Sequence, residues 1–317
     1  MNLATMGGFW LVADLLDVQA DLPHDLNSQL RLCRATDKQI QCLDVFFDRE
    51  NQFRSPRNYY EYDWTPRNDG SIVQENKMPR SDWRYFLLAF KNNAFASIEF
   101  QLAANLGEPP LTFFHFIYTD GEYGEGARTA WSGDDVQAAD WYQPPIPPPL
   151  VVLNLEGLNH LNVTYERLRA LDRERYAGIW RAVNSFQELK RIPRQSDLMI
   201  LGYFSIIEML LTHNPNDKEV GDSLMHQIRT KVALLNKRLA VPFDYSSFQI
   251  ASEEKIWNKL YGLRSLVAHG GHVDFASSEL RSLKDRNSAI EFLKGATRRL
   301  LRHALEEPQL VDSLKPI

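Results

Sequence analysis

Residues 260–271 read LYGLRSLVAHGG, and the fold turns on whether this stretch is helical and where it stops. Extended back to Ser252, its apolar positions Ile256, Leu260, Leu263 and Val267 recur at spacings of three and four, which is one face of an α-helix. Ser252 followed by Glu253 and Glu254 suits a helix N-terminus. Gly270 and Gly271 suit its end, because a glycine adopts the left-handed conformation that closes a helix. Arg264 follows Leu260 by one turn and borders the apolar stripe. His269 falls in the last turn, where the helix dipole attracts a cation, a position that suits an imidazole moving protons. Five residues on an ideal helix is about 140° of rotation, so Arg264 and His269 do not share a face within one helix.

A second helix, LMILGYFSIIEMLL over 198–211, is apolar nearly all round and carries one ionisable side chain, Glu208. It is too short to span a bilayer, so it reads as a buried helix. A buried carboxylate needs a cation or several donors, and Arg264 is the expected partner. A guanidinium held in one orientation can receive a phosphate.

The neighbouring segments carry the same period. Residues 164–192 form one long helical pattern stopped by Pro193, Ser196 suits the cap of the next helix, and Leu224, Ile228, Val232, Leu235 and Leu239 make a stripe over 222–242. A last helical pattern runs over 277–308. Short connections between them describe an all-α bundle. Before these lies QPPIPPPL, residues 143–150, which can be neither helix nor sheet and reads as a semi-rigid, polyproline-like linker. The division expected is therefore a domain over 1–142, the linker 143–150 and a helical domain over 151–317.

The first domain reads as α+β. Aromatic and β-branched runs at 9–15, 42–48, 83–90 and 111–119 suggest strands, separated by clusters rich in Pro, Gly, Asn and Asp. Helical readings compete at 36–48, with Thr36 as N-cap, and at 96–107, ending at Gly107. No internal repeat is evident. Its tryptophans, Trp64, Trp83, Trp131 and Trp141, read as core, with base stacking the minority alternative.

Composition bounds the function. The 317 residues are 44% hydrophobic and 24% charged with a net charge of -5, so a polyanion would have to meet a local basic patch. Cys33 and Cys42 lack metal-ligand spacing, and the first residues lack a basic segment before an apolar core, which suggests a cytoplasmic protein with reduced thiols. There is no GxxxxGK[ST], GxGxxG after a strand, HExxH or GxSxG, and GGHVD at 270–274 is no metal motif, so no cofactor or metal is expected. His226, Arg229 and Lys231 could add positive potential for RNA, although a solvated face is the plainer reading. Arg298 and His303 repeat the Arg/His spacing and read as an exposed basic face. His272 reads as a loop residue.

The stretch LYGLRSLVAHGG, with YFSIIEMLL (203–211) and IRTKVALL (228–235) before it, resembles the HEPN superfamily, specifically its Apea-like branch, over roughly residues 165–305. LRLCRATDKQIQCL, 30–43, faintly resembles segments that precede such domains. The resemblance implies a homodimeric helical bundle that cleaves RNA without metal, as bacterial defence effectors do when RNA cleavage stops growth of an infected cell. Arg264 would hold the scissile phosphate and His269 would act as acid or base, the site assembling from two copies. Glu208, Tyr261 and Ser265 would support it, Ser265 standing where the wider superfamily also has Asn, Asp or His. The N-terminal domain would sense or recruit through a regulatory protein or ligand. The alternative is a non-catalytic helical module that binds RNA, a nucleotide or a protein, with Arg264–Glu208 as an internal strut.

Overall fold

The computed structural model describes residues 8–50, 57–67, 72–90, 94–113, 149–213, 223–249 and 252–315. They fall into two compact units that part at Glu166/Arg167.

The first unit is α+β. Strands β1 (Gly8–Leu11), β2 (Leu15–Gln19), β3 (His24–Asp25) and β4 (Leu30–Arg34) precede helix α1 (Asp37–Glu50). Then come α2 (Arg57–Glu61), β5 (Tyr62–Pro66), β6 (Ile72–Lys77), β7 (Phe86–Phe90), α3 (Ala94–Leu106), β8 (Leu150–Asn154) and α4 (Leu155–Ala170). An antiparallel sheet runs in the order β1-β7-β4-β3, while β5 pairs antiparallel with β6. Every side chain of β7 is buried, as a strand covered on both faces requires. Its neighbours Phe9, Leu11, Cys33, Leu87 and Ala89 pack with Tyr60 and Tyr85 in one core. Burial pushes the Cys33 thiol up to about 11, so it stays protonated and serves as a small apolar side chain.

Of the two readings open at 42–48, the helix is correct. Thr36 Oγ1 accepts from the Gln39 N–H while Gln39 Oε1 accepts from the Thr36 N–H, a capping box that starts α1. Of 111–119, only 111–113 lies within the described residues, where Phe113 makes a single antiparallel bridge to Val12. The linker prolines Pro144 to Pro148 lie outside the described residues. The segment after them departs from the expected division: β8 pairs in parallel with β2, so residues 150–166 belong to the first unit. Parallel pairing across so long a separation leaves no local signature.

The second unit is helical: α5 (Ala177–Glu188), α6 (Leu198–Leu211), α7 (Leu224–Asn236), α8 (Glu253–Ala268), α9 (Arg286–Glu306) and α10 (Pro308–Leu314). Helix α6 is the centre and packs against each of the others, which accounts for its apolar circumference. No helix among the described residues is long and apolar enough to cross a membrane.

Four expected boundaries move, each for a polar reason. The pattern over 164–192 breaks after Ala170, where the Asp172 carboxylate accepts from the N–H groups of Glu174 and Arg175 and takes the chain out of the helix. Asp197, not Ser196, is the residue before α6, its carboxylate receiving two hydrogen bonds from Arg286. Helix α7 stops at Asn236, whose Oδ1 accepts from the Phe243 N–H, so Leu239 lies beyond the helix. The stretch 277–308 is interrupted at Lys284, with φ 67°, and α9 begins under Asp285 as its cap.

Candidate functional site

Helix α8 starts as expected, with Ser252 Oγ accepting from the Lys255 N–H. Ile256, Leu260 and Leu263 are buried and seat it against α6, joined by Trp257, while Val267 is only half-buried near the open end. The end is a Schellman motif: the Gly271 N–H donates to Leu266 O at 2.9 Å and the Gly270 N–H to Val267 O at 3.1 Å. Gly270 has φ 69°, the left-handed value that a side chain would strain. Leu266 folds over Gly271 so closely that a Cβ there would meet its Cδ1 at 2.3 Å. The paired glycines thus stop the helix one residue after His269 and leave that histidine as an exposed C-cap, φ -96° and ψ 9°.

Arg264 meets Glu208. Its Nη2 lies 3.2 Å from Oε1 and 3.3 Å from Oε2, and only the second has hydrogen-bond geometry. The pair is therefore one-pronged, and Glu208 Oε1 is buried without a hydrogen bond. The side chains keep 27% and 18% of their exposure, which makes this a border contact. The guanidinium carbon also sits 5.5 Å from the centre of the Tyr261 ring, and that ring packs edge-on against Phe204 of α6. Glu208 and Tyr261 fix the guanidinium, and no other hydrogen bond or ion pair engages it among the described residues. Ser265 is half-buried, and its carbonyl accepts from the His269 N–H at 3.1 Å.

No hydrogen bond or ion pair joins Arg264 to His269 within one copy among the described residues. The rotation of about 140° expected from their spacing stands. The structure brings Arg264, Glu208 and Tyr261 together and leaves His269 apart.

The RNA-facing role expected for Lys231 is corrected. The side chain is buried, its Nζ donating to Leu211 O at 2.9 Å and to Lys315 O at 3.3 Å, so it ties α7 to the ends of α6 and α10. Arg229 is engaged as well, with Nη1 2.8 Å from Glu254 Oε1 and Nη2 3.2 Å from His226 Nδ1. His303 is not part of an exposed basic face. It is buried in α9, with Nε2 lacking a hydrogen-bond partner. His272 is exposed past the glycines. Trp83 donates to Met78 O and is flanked by Lys77 and Arg80, and Trp64 donates to Asn58 O, so both are used internally. Trp131 and Trp141 lie outside the described residues.

The sequence reading passed over Lys255 and Lys259, four apart on α8, because a lone i, i+4 lysine pair is common on solvated faces. Among the described residues no group of three or more His, Cys, Asp or Glu side chains is placed to hold a metal ion. No protein-family model, curated protein or solved structure matches this chain.

Proposed function

We propose that the helical unit is a metal-independent endoribonuclease of the HEPN type, with Arg264 and His269 contributed by two copies of the chain to one site. The observation that carries this reading is a half-exposed guanidinium, fixed by Glu208 on one edge with its other donors free of protein partners, on the same helix as an exposed, cap-positioned histidine. A fixed guanidinium with free donors suits a phosphodiester, whose two unesterified oxygens match its fork. Arg264 would stabilise the charge that develops on the phosphorus oxygens. His269 would take the proton of the ribose 2′-OH or give one to the leaving 5′-oxygen. Tyr261 keeps the guanidinium over its ring, and Ser265 sits at the turn between the two. Their separation within one copy favours assembly from two. In this reading the protein acts in the cytoplasm as a defence effector, the first unit supplying the trigger.

A second reading has support from the same contact: Arg264 and Glu208 bind within a single copy, as a strut in a non-catalytic binding module would. Cleavage separates them. Purified full-length chain with total RNA and with tRNA in EDTA is expected to yield fragments ending in 2′,3′-cyclic phosphate, and His269→Ala, folded by circular dichroism, is expected to yield none. Intact RNA with wild type, or equal cleavage by His269→Ala, would overturn the nuclease.

A further inference from the structure

Beside α8 lies an open cleft of about 660 Å³ whose lining includes three basic side chains, Lys255, Lys259 and Arg281, and no acidic one. The two lysines come from successive turns of α8. Arg281 comes from the short 3₁₀ turn Arg281–Leu283, held against α8 by its packing and to the chain before it by the Gln249 N–H donating to Ser282 O at 3.1 Å. None of the three cations makes an ion pair among the described residues. The nearby acids are otherwise placed: Glu254 takes Arg229, Glu253 takes the Asn236 amide at 3.3 Å, and the exposed Glu279 is not part of the lining.

Two further lining atoms distinguish the cleft from a solvated basic face. Asn258 Oδ1 and Ser282 Oγ are both buried and both lack a hydrogen-bond partner. A buried polar atom without a partner costs about 1–3 kcal/mol, so two at one cleft mark a place where a ligand or water completes the bonding. The Ser282 hydroxyl can donate, and an amide turned by 180° presents its NH₂ where its oxygen now sits. The chemistry that answers three cations, a hydroxyl and an amide is an oxyanion. The cleft is lined by no aromatic or aliphatic side chain, so it offers a nucleobase nothing to stack on and would read phosphate.

The helix sets where such a ligand would lead. At 100° per residue, Lys255, Asn258, Lys259 and position 269 fall on one side of α8, and Arg264 falls on the other. Ten residues separate Lys259 from His269, about 15 Å along the axis. We propose that this cleft holds backbone phosphates of an RNA strand laid along the His269 side of α8, a few nucleotides from the phosphate that is cut. The inference rests on the nuclease reading for the identity of the strand, and on the cleft alone for the phosphate.

The test is binding, kept separate from cleavage. Full-length His269→Ala, which leaves RNA intact, is titrated with a fluorescent single-stranded RNA across a range of salt, with and without Lys259→Gln and Arg281→Ala added together. Both added changes are at accessible side chains, and circular dichroism checks the fold. Lys255→Gln is the second variant should that pair fail to fold. The expected result is affinity at least tenfold weaker, with the dependence of log affinity on log salt shallower by about two, one for each lost phosphate contact. Unchanged affinity and slope overturn the cleft. Inorganic pyrophosphate is run in parallel by calorimetry. Should pyrophosphate bind through these residues while RNA binding ignores them, the site belongs to a small phosphate ligand and the RNA assignment falls. RNA held through the cleft by a wild type that never cuts it would sink the nuclease and leave the cleft standing.

Discussion

Arg264 and Glu208 show how exposure changes the meaning of an ion pair. A fully buried pair that loses its cation costs about 3–5 kcal/mol, because a charge is left in a dry interior. Here water reaches both side chains, at 27% and 18% exposure, and one carboxylate oxygen is already without a hydrogen bond. We expect Arg264→Ala to lower unfolding stability by only about 1–2 kcal/mol, read as a shift in urea midpoint at constant slope. Glu208→Gln in the same background should recover part of that loss, a coupling that a double-mutant cycle measures. A loss of about 3–5 kcal/mol would instead make the contact a strut. The pairing was legible in the sequence, since a single carboxylate in an apolar helix and a cation at the border of another stripe leave few other solutions. Its one-pronged geometry was not, because spacing along α8 says nothing about how far α6 stands from it.

At the scale of the element, apolar period placed the helices and polar side chains placed their ends. Ser252, Thr36 and the two glycines of α8 could be read directly, since each acts within its own few residues. Asp172, Asn236 and Lys284 were missed. Their effect depends on a side chain or backbone competing successfully with helix continuation, which the three-and-four spacing on either side conceals. Lys231 failed differently: a lysine beside a polar face looks solvated until α6 and α10 bring carbonyls to its ammonium. The cap of α9 gives a prediction of its own. Asp285 Oδ1 accepts from the Ser288 N–H at 2.7 Å, and that backbone hydrogen bond, more than the neighbouring Lys284, holds its carboxyl below the usual carboxylate range. A carboxyl lowered on folding stabilises above its unfolded value of about 3.9, and the contribution is lost as pH falls through the folded value. Asp285→Ala should therefore cost about 1 kcal/mol at pH 7 and progressively less below about pH 4, whereas Asp285→Asn keeps a cap and loses the pH dependence. Thermal unfolding at several pH values checks it, and a penalty constant down to pH 2 would speak against the assignment.

At the scale of the molecule, the two units differ in how much of them the sequence disclosed. The helical unit is made of local periods and could be outlined from 164 onward. The first unit depends on β7 sitting between β1 and β4 and on β8 returning to β2, pairings set by contacts far apart in the chain. The central claim belongs to this scale as well: one copy carries both Arg264 and His269 and joins them by no contact, so the site is complete only when two copies meet. The most direct test is to co-express Arg264→Ala and His269→Ala chains carrying different tags, purify the mixed species through both tags, and measure RNA cleavage in EDTA against each variant alone. The account predicts that the mixed species cleaves well above the sum of the two separate variants, because one intact arginine and one intact histidine come from opposite chains. Cleavage by the mixed species no greater than that sum, in a preparation where wild type cleaves, would contradict a site shared between copies.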